Sequence, residues 1–269
     1  MNSKFSQQAR LAGRLIHFLS RSGSRYRIHS PFLYDIVNTV IRNRQKAGCA
    51  HEIEALRKEC RTSRELIFKT DYGKAGSEGK GIVYPVRLGK IARSSVTSPG
   101  HARRLARLAE KTGAGNILEI GTSLGFTTAY LACARPGARI ITLEGCPELS
   151  RLASEHFKKL EIRNIEIITG RFEDTLQDAL QKLKRVDLVY IDGNHRKEAM
   201  LNYYGQCREY AGNESVFVFD DIHSSREMEE AWELITGREE VRISLDLFFS
   251  GWVFFRKESS RQHFRLRYI

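Results

Sequence analysis

The sequence predicts a doubly wound α/β fold, in which a mostly parallel sheet of seven strands ends in an antiparallel hairpin and follows a helical N-terminal extension. Three observations predict it. From about residue 101 onward, short apolar runs rich in β-branched residues alternate with helical stretches, the pattern of right-handed crossovers between parallel strands. The last two apolar runs lie only a short turn apart, which makes that pair antiparallel. The first third of the chain has helical periodicity and a basic excess, and lacks this alternation.

The elements are expected in this order. Residues 3–20 place Phe5, Leu11, Leu15, Phe18 and Leu19 near helical spacing. That stripe suits packing on its own domain better than a membrane surface. Ser30-Pro31-Phe32 starts a second helix, since Ser is a good N-cap and Pro suits the first turn. Residues 51–68 read as helix again. Residues 71–81 hold four glycines, a loop or hinge that lacks the Gly-Lys-Ser/Thr ending of a P-loop. A helix at 101–112 then precedes strands near 117–121, 139–144, 165–169, 186–191 and 215–220. Helices fall at 124–134, 147–159, 173–184, 196–210 and 225–236, and the closing strands at 241–247 and 251–256. The expected boundary separates a basic, mainly helical extension (1–93) from the α/β domain (94–269).

Composition bounds the function. A chain of 269 residues with 41% hydrophobic and 28% charged residues is expected to be globular. No apolar run reaches the roughly 20 residues that span a bilayer, and Arg10, Arg14 and His17 interrupt any leader-like core. Five cysteines (Cys49, Cys60, Cys133, Cys146, Cys207) form no CxxC and cannot all pair, which suits a reducing cytoplasm. The net charge of +12 belongs wholly to residues 1–93, which hold 19 Lys and Arg against 7 Asp and Glu; the remainder balances at 25 of each. Such asymmetry suits either a nucleic-acid, membrane or acidic-substrate surface, or a basic solvated one.

Ligands of such sheets lie beyond the carboxyl ends of the strands. The first α/β strand ends in Glu119-Ile120-Gly121-Thr122-Ser123-Leu124-Gly125, where the glycines permit a tight turn and a close approach of backbone to ligand. A dinucleotide fingerprint would want glycines at 121, 123 and 126, but Ser123 and Phe126 occupy two of these positions. The second strand ends in Glu144, 19 residues past Gly125. An acidic side chain there can accept hydrogen bonds from both ribose hydroxyls, or can serve only as a helix-start charge. Taken together, the two features point to a nucleoside cofactor.

The pattern Glu-x-Gly-x-x-x-Gly, Glu144 and the terminal hairpin resemble a class I S-adenosylmethionine-dependent methyltransferase, with its Rossmann-like fold, over about residues 94–257. The resemblance implies that Glu119, Gly121, Thr122, Ser123 and Gly125 lie at the methionine portion of S-adenosylmethionine, and that Glu144 and Gly145 lie at the ribose. It also implies that Arg171 and Phe172 border the adenine, although Phe172 suits plain core equally well.

The fourth strand ends in Asp192-Gly193-Asn194-His195, and the fifth in Asp220-Asp221-Ile222-His223. Three converging carboxylates repel unless a cation sits among them, and hard oxygen ligands suit Mg²⁺, Ca²⁺ or Mn²⁺. The arrangement resembles the catechol O-methyltransferase-like branch, which implies a metal on Asp192, Asp220 and Asp221, with Asp192 also near the cofactor. That branch carries Asp-Asn after the fifth strand and a lysine base three residues beyond the first Asp. This chain has Asp-Asp, and His195 in the lysine's place. A histidine near its reference pKa can take a hydroxyl proton near neutral pH, or can be a polar residue at a helix start. His223 is a second base, an outer partner, or part of the Ser224-Ser225 cap. "RYRIHSPF", "ITLEGCPE" and "IDGNHRKEA" also resemble an uncharacterised bacterial group of methyltransferases.

The expected function is O-methylation of a small hydroxylated acceptor, with divalent-metal assistance and the N-terminal region as lid or pocket wall. A homodimer is an allowed assembly. Two alternatives stand beside it: an RNA methyltransferase gripping phosphates with its basic third, and a non-catalytic cofactor-binding interaction protein.

Overall fold

The computed structural model describes residues 2–24, 28–43, 50–72 and 81–267. In chain order these form α1 (Asn2–Arg21), α2 (Pro31–Ile36) continuing as a π-helical turn over Val37–Ile41, α3 (Ala50–Thr62), β1 (Leu66–Asp71), β2 (Ile82–Arg87), α4 (Leu88–Ser94) and α5 (Pro99–Lys111). The alternating part follows: β3 (Asn116–Ile120), α6 (Phe126–Ala134), β4 (Arg139–Glu144), α7 (Pro147–Lys159), β5 (Ile165–Thr169), α8 (Phe172–Leu183), β6 (Val186–Ile191), α9 (Lys197–Glu209) and β7 (Ala211–Asp220). The chain ends with α10 (Arg226–Thr236), β8 (Ile243–Asp246), β9 (Ser250–Phe254) and β10 (Gln262–Arg265). Of the glycine-rich connection, residues 73–80 lie outside the described residues, as do Cys49 and Arg25–Arg27 of "RYRIHSPF".

Two compact units emerge, residues 43–189 and residues 1–42 with 190–269, and the chain passes between them within β6. Residues 1–93, expected as one extension, are divided between the two.

In the unit of residues 43–189 the strand order is β6-β3-β4-β5. Parallel registers Ile120↔Leu143 and Glu144↔Thr169 bring the carboxyl ends of β3, β4 and β5 to one edge. Helix starts follow capping rules: the Ser98 hydroxyl accepts from His101 N, with Pro99 in the first turn. The core gathers Ile53, Ile67, Leu124, Phe126, Tyr130 and Phe157. The expected helix over 51–68 stops at Thr62, and Leu66–Asp71 instead pairs antiparallel with β2, Ile67 opposite Val86. Leu66-Ile67-Phe68 alternates exposed, buried, exposed, so its period is that of a strand with one face on the core. Helical spacing upstream masked that change of period.

In the other unit the order is β10-β8-β9-β7-β6. The expected closing hairpin is present, with Asp246 opposite Gly251, and β9 also runs antiparallel to β7. An eighth strand, β10, adds to β8 in parallel. Its four residues, QHFR, carry too little apolar pattern to distinguish an edge strand from a loop. Ser30 caps α2 as expected, accepting from Leu33 N at 3.3 Å. Phe18 of the α1 stripe packs on its own unit, buried against Phe248 with ring centroids 5.4 Å apart.

Candidate functional site

In the unit of residues 43–189, the turn after β3 and the end of β4 are built as one piece. Gly121 N and Thr122 N both donate to Leu143 O, at 3.0 and 3.1 Å. Gly121, Ser123 and Gly125 all have positive φ (106°, 50° and 74°). At Gly125 a Cβ would lie 2.6 Å from the Phe157 ring, so glycine is required both by the left-handed backbone and by the packing of α7. Glu144 receives Ser123 N–H on one oxygen at 2.7 Å and Cys146 N–H on the other at 2.9 Å. Burial raises its pKa, while these two amides and the nearby Lys69 charge oppose the rise.

Glu119 lies behind this turn. It is fully buried and accepts hydrogen bonds from the Thr128 and Thr142 hydroxyls, the latter at 2.7 Å. The Thr122 and Thr142 hydroxyls are themselves hydrogen-bonded at 2.6 Å. Both side chains expected at the cofactor therefore brace the strand ends from inside. Beyond β5, Arg171 stands at the N-cap position of α8 and Phe172, half-buried, opens the helix.

Two residues at this edge lay outside the expected set. Lys69 of β1 lies close enough to Glu144 to favour its ionised form. Tyr72, just past β1, lies against Gly145 and holds the Arg171 guanidinium 6.0 Å from its ring centre. The run Leu66–Asp71, three apolar residues followed by three polar ones, carried no alternation in sequence that could have located them.

In the other unit, the ends of β6 and β7 carry the acidic group. His195 Nε2 lies 3.7 Å from Asp192 Oδ1 and 3.9 Å from Asp221 Oδ2. Tyr190 OH donates to Asp192 Oδ2 at 3.1 Å. Asp220 is held well above the usual carboxylate range by burial, and then by the charges of Asp192 and Asp221. Asn194 and Asp221 have positive φ, 49° and 55°, and these tight turns aim their side chains individually.

Among the described residues no group of three or more His, Cys, Asp or Glu side chains is placed to hold a metal ion. His223, expected as a second base, an outer partner or part of a cap, has both ring nitrogens engaged: Nδ1 meets Glu229 at 2.9 Å and Nε2 meets Asp246 at 3.0 Å. Burial lowers its pKa, but hydrogen bonds and charges from Asp246 and Glu229 more than offset this and hold it above its ordinary value. Arg14 of α1 joins the same Glu229 at 3.3 Å.

The glycine turn after β3 and the anchored carboxylate ending β4 lie within the part of the chain that matches a known family. Residues 118–222 match the family described as "Methyltransferase domain". Among curated proteins, the chain is 32% identical over 128 residues to a catechol O-methyltransferase of Niastella koreensis, covering 46% of this chain and 57% of that one. It is 26% identical over 129 residues to a protein-L-isoaspartate O-methyltransferase of Aeropyrum pernix, covering 47% of each. The chain therefore spans about half the length of these relatives. Solved structures share the fold: an O-methyltransferase from Bacillus cereus in complex with SAH has a TM-score of 0.55 at 19% identity, covering 81% of this chain and 94% of that one. An SAH-bound methyltransferase from Podospora anserina reaches 0.58 at 14% identity, covering 87% and 99%. No helix among the described residues is long and apolar enough to cross a membrane.

Proposed function

We propose that this protein transfers the methyl group of S-adenosylmethionine to an oxygen of a small hydroxylated acceptor. The observation that carries this is Glu144, a buried carboxylate whose two oxygens accept the Ser123 and Cys146 amides, with the Gly145 amide also favouring its charge. A carboxylate has about four acceptor positions, so capacity remains for a ribose hydroxyl. Gly121, Ser123 and Gly125 give the backbone the open turn against which the methionine portion rests, and Glu119 and Thr122 stiffen that turn from behind. When bound, the cofactor supplies an electrophilic methyl group.

His195, with Asp192 Oδ1 at 3.7 Å and Asp221 Oδ2 at 3.9 Å from its Nε2, takes the acceptor's proton. The role assigned to a metal in the sequence-based expectation passes to His195, and no step is routed through a cation.

Calorimetry with S-adenosylhomocysteine, followed by methyl transfer to a panel of catechols, other phenols and alcohols, tests the assignment. No binding, or no turnover with any oxygen acceptor, would remove it. A second acceptor class, the carboxylate of an isoaspartyl peptide, is favoured by the similarity to protein-L-isoaspartate O-methyltransferases, and one such peptide in the same panel separates the two.

A further inference from the structure

The N-terminal third was expected to serve the acceptor, yet β1 is fastened to the loop that follows Glu144. Thr70 N donates to Cys146 Sγ at 3.3 Å, and the Cys146 thiol faces Phe68 O at 3.8 Å. This seats the end of β1 beside Gly145, where a Cβ would come within 3.1 Å of the Tyr72 ring. A Cβ on Gly81, at the start of β2, would lie 2.9 Å from the same ring. Two glycines thus leave room for one aromatic side chain. Its third neighbour is Arg171, with the guanidinium 6.0 Å from the ring centre.

Tyr72 accordingly occupies the stretch between the end of β4, which presents Glu144, and the end of β5, which leads into Arg171. A ligand whose ribose sits on Glu144 carries its base to one side of that carboxylate. The ring and the guanidinium are flat, polarisable groups of the kind on which nucleobases stack. A side chain at 145, one residue past the carboxylate, could provide such a surface from β4 itself. Here the position is glycine and the surface comes from the hairpin.

We propose that Tyr72 is a cofactor-specificity residue, its ring covering the adenine of the bound cofactor, and that the β1–β2 hairpin is a wall of the cofactor site. This rests on the S-adenosylmethionine reading above. It gives the hairpin a role distinct from that of an acceptor lid, because its loss would act on cofactor affinity whatever the acceptor.

The test is calorimetry on the full chain with S-adenosylhomocysteine and with 5′-methylthioadenosine, which lacks the amino-acid end. Tyr72→Leu, which keeps apolar bulk without a ring, should raise both Kd values by about tenfold, the scale of one lost base-stacking contact. Tyr72→Phe should stay within about twofold of wild type, since the ring is retained. Gly145→Leu, which leaves residue 72 intact but fills the space its ring uses, should weaken both ligands as well. Melting curves establish that each variant is folded. Wild-type binding with an unchanged Kd in Tyr72→Leu overturns the proposal alone, as does a loss confined to S-adenosylhomocysteine, which would place the ring at the amino-acid end. Failure of wild type to bind either ligand overturns the cofactor reading and the proposal together.

Discussion

The backbone N–H of Ser123 donates to Glu144 Oε2 at 2.7 Å, which ties the turn after β3 to the carboxylate ending β4. One hydrogen bond thus couples two parts of a ligand site separated by 21 positions in the sequence. Removing either partner should be felt by both.

Glu144→Ala should weaken S-adenosylhomocysteine binding by about 1–3 kcal/mol, the range for charge-assisted hydrogen bonds. It also strands two amides, so the melting temperature should fall. Calorimetry and a thermal melt check both, and NAD should bind wild type more weakly than S-adenosylhomocysteine. Equal affinity for NAD would contradict the assignment.

Gly125→Ala should destabilise by about 1–3 kcal/mol, because its methyl group meets Phe157 at 2.6 Å and φ is +74°. Denaturant unfolding measures this. A loss no larger than that of Gly100→Ala, where nothing lies within 4 Å of the new Cβ, would show that the turn tolerates the change.

Asp220 has a pKa raised above its unfolded value, chiefly by burial. Its contribution to stability is present below the unfolded pKa, near 3.9, and is lost as pH rises through the folded one. Asp220→Asn should therefore melt higher than wild type at pH 8 by a few degrees, with the gap closing toward pH 4. A variant that melts lower at pH 8 would show that the charged form is the stabilised one.

His223 also has a raised folded pKa, so its stabilisation is full below about pH 6.5 and is lost as pH climbs through the folded value. His223→Gln should accordingly cost more at pH 6 than at pH 9. Paired melts of wild type and variant read this difference, and equal losses at both pH values would mean that the ring acts by packing alone.

Metal removal should change little. Melting curves at pH 8 with chelator and with millimolar Mg²⁺ or Mn²⁺ should superimpose, because among the described residues no group of three or more His, Cys, Asp or Glu side chains is placed to hold a metal ion. A rise in melting temperature with metal, abolished by Asp220→Asn, would restore the cation site.

The core of the α/β domain was legible because each strand and helix there carries its own period. Leu118-Glu119-Ile120 and Ile140-Ile141-Thr142 have the short apolar runs of buried parallel strands. Glu144 could be located at a strand end for the same reason. The caps Ser30, Ser98 and Ser225 all accept hydrogen bonds from the following turn; Ser30 and the Ser224-Ser225 pair stood out beforehand, and Ser98 did not. β10 and the β1–β2 hairpin escaped because four residues with one apolar side chain, or six mixed ones, carry little periodic signal.

What the sequence by itself determined is the order of elements, the carboxyl-end location of Glu144, Asp192 and Asp220, and the glycine turn. These follow from local pattern and from the rule that parallel crossovers bring strand ends to one edge. The tertiary structure decided what each side chain does there. His223 became a histidine between two carboxylates, Glu119 a buried brace, and Tyr72 a ring lodged beside Gly145. The reason is physical: Asp246 lies 23 positions beyond His223, and Gly145 lies 73 beyond Tyr72. Backbone period fixes where a side chain starts, but partners so remote in sequence meet only through packing, and the partner sets charge, burial and role.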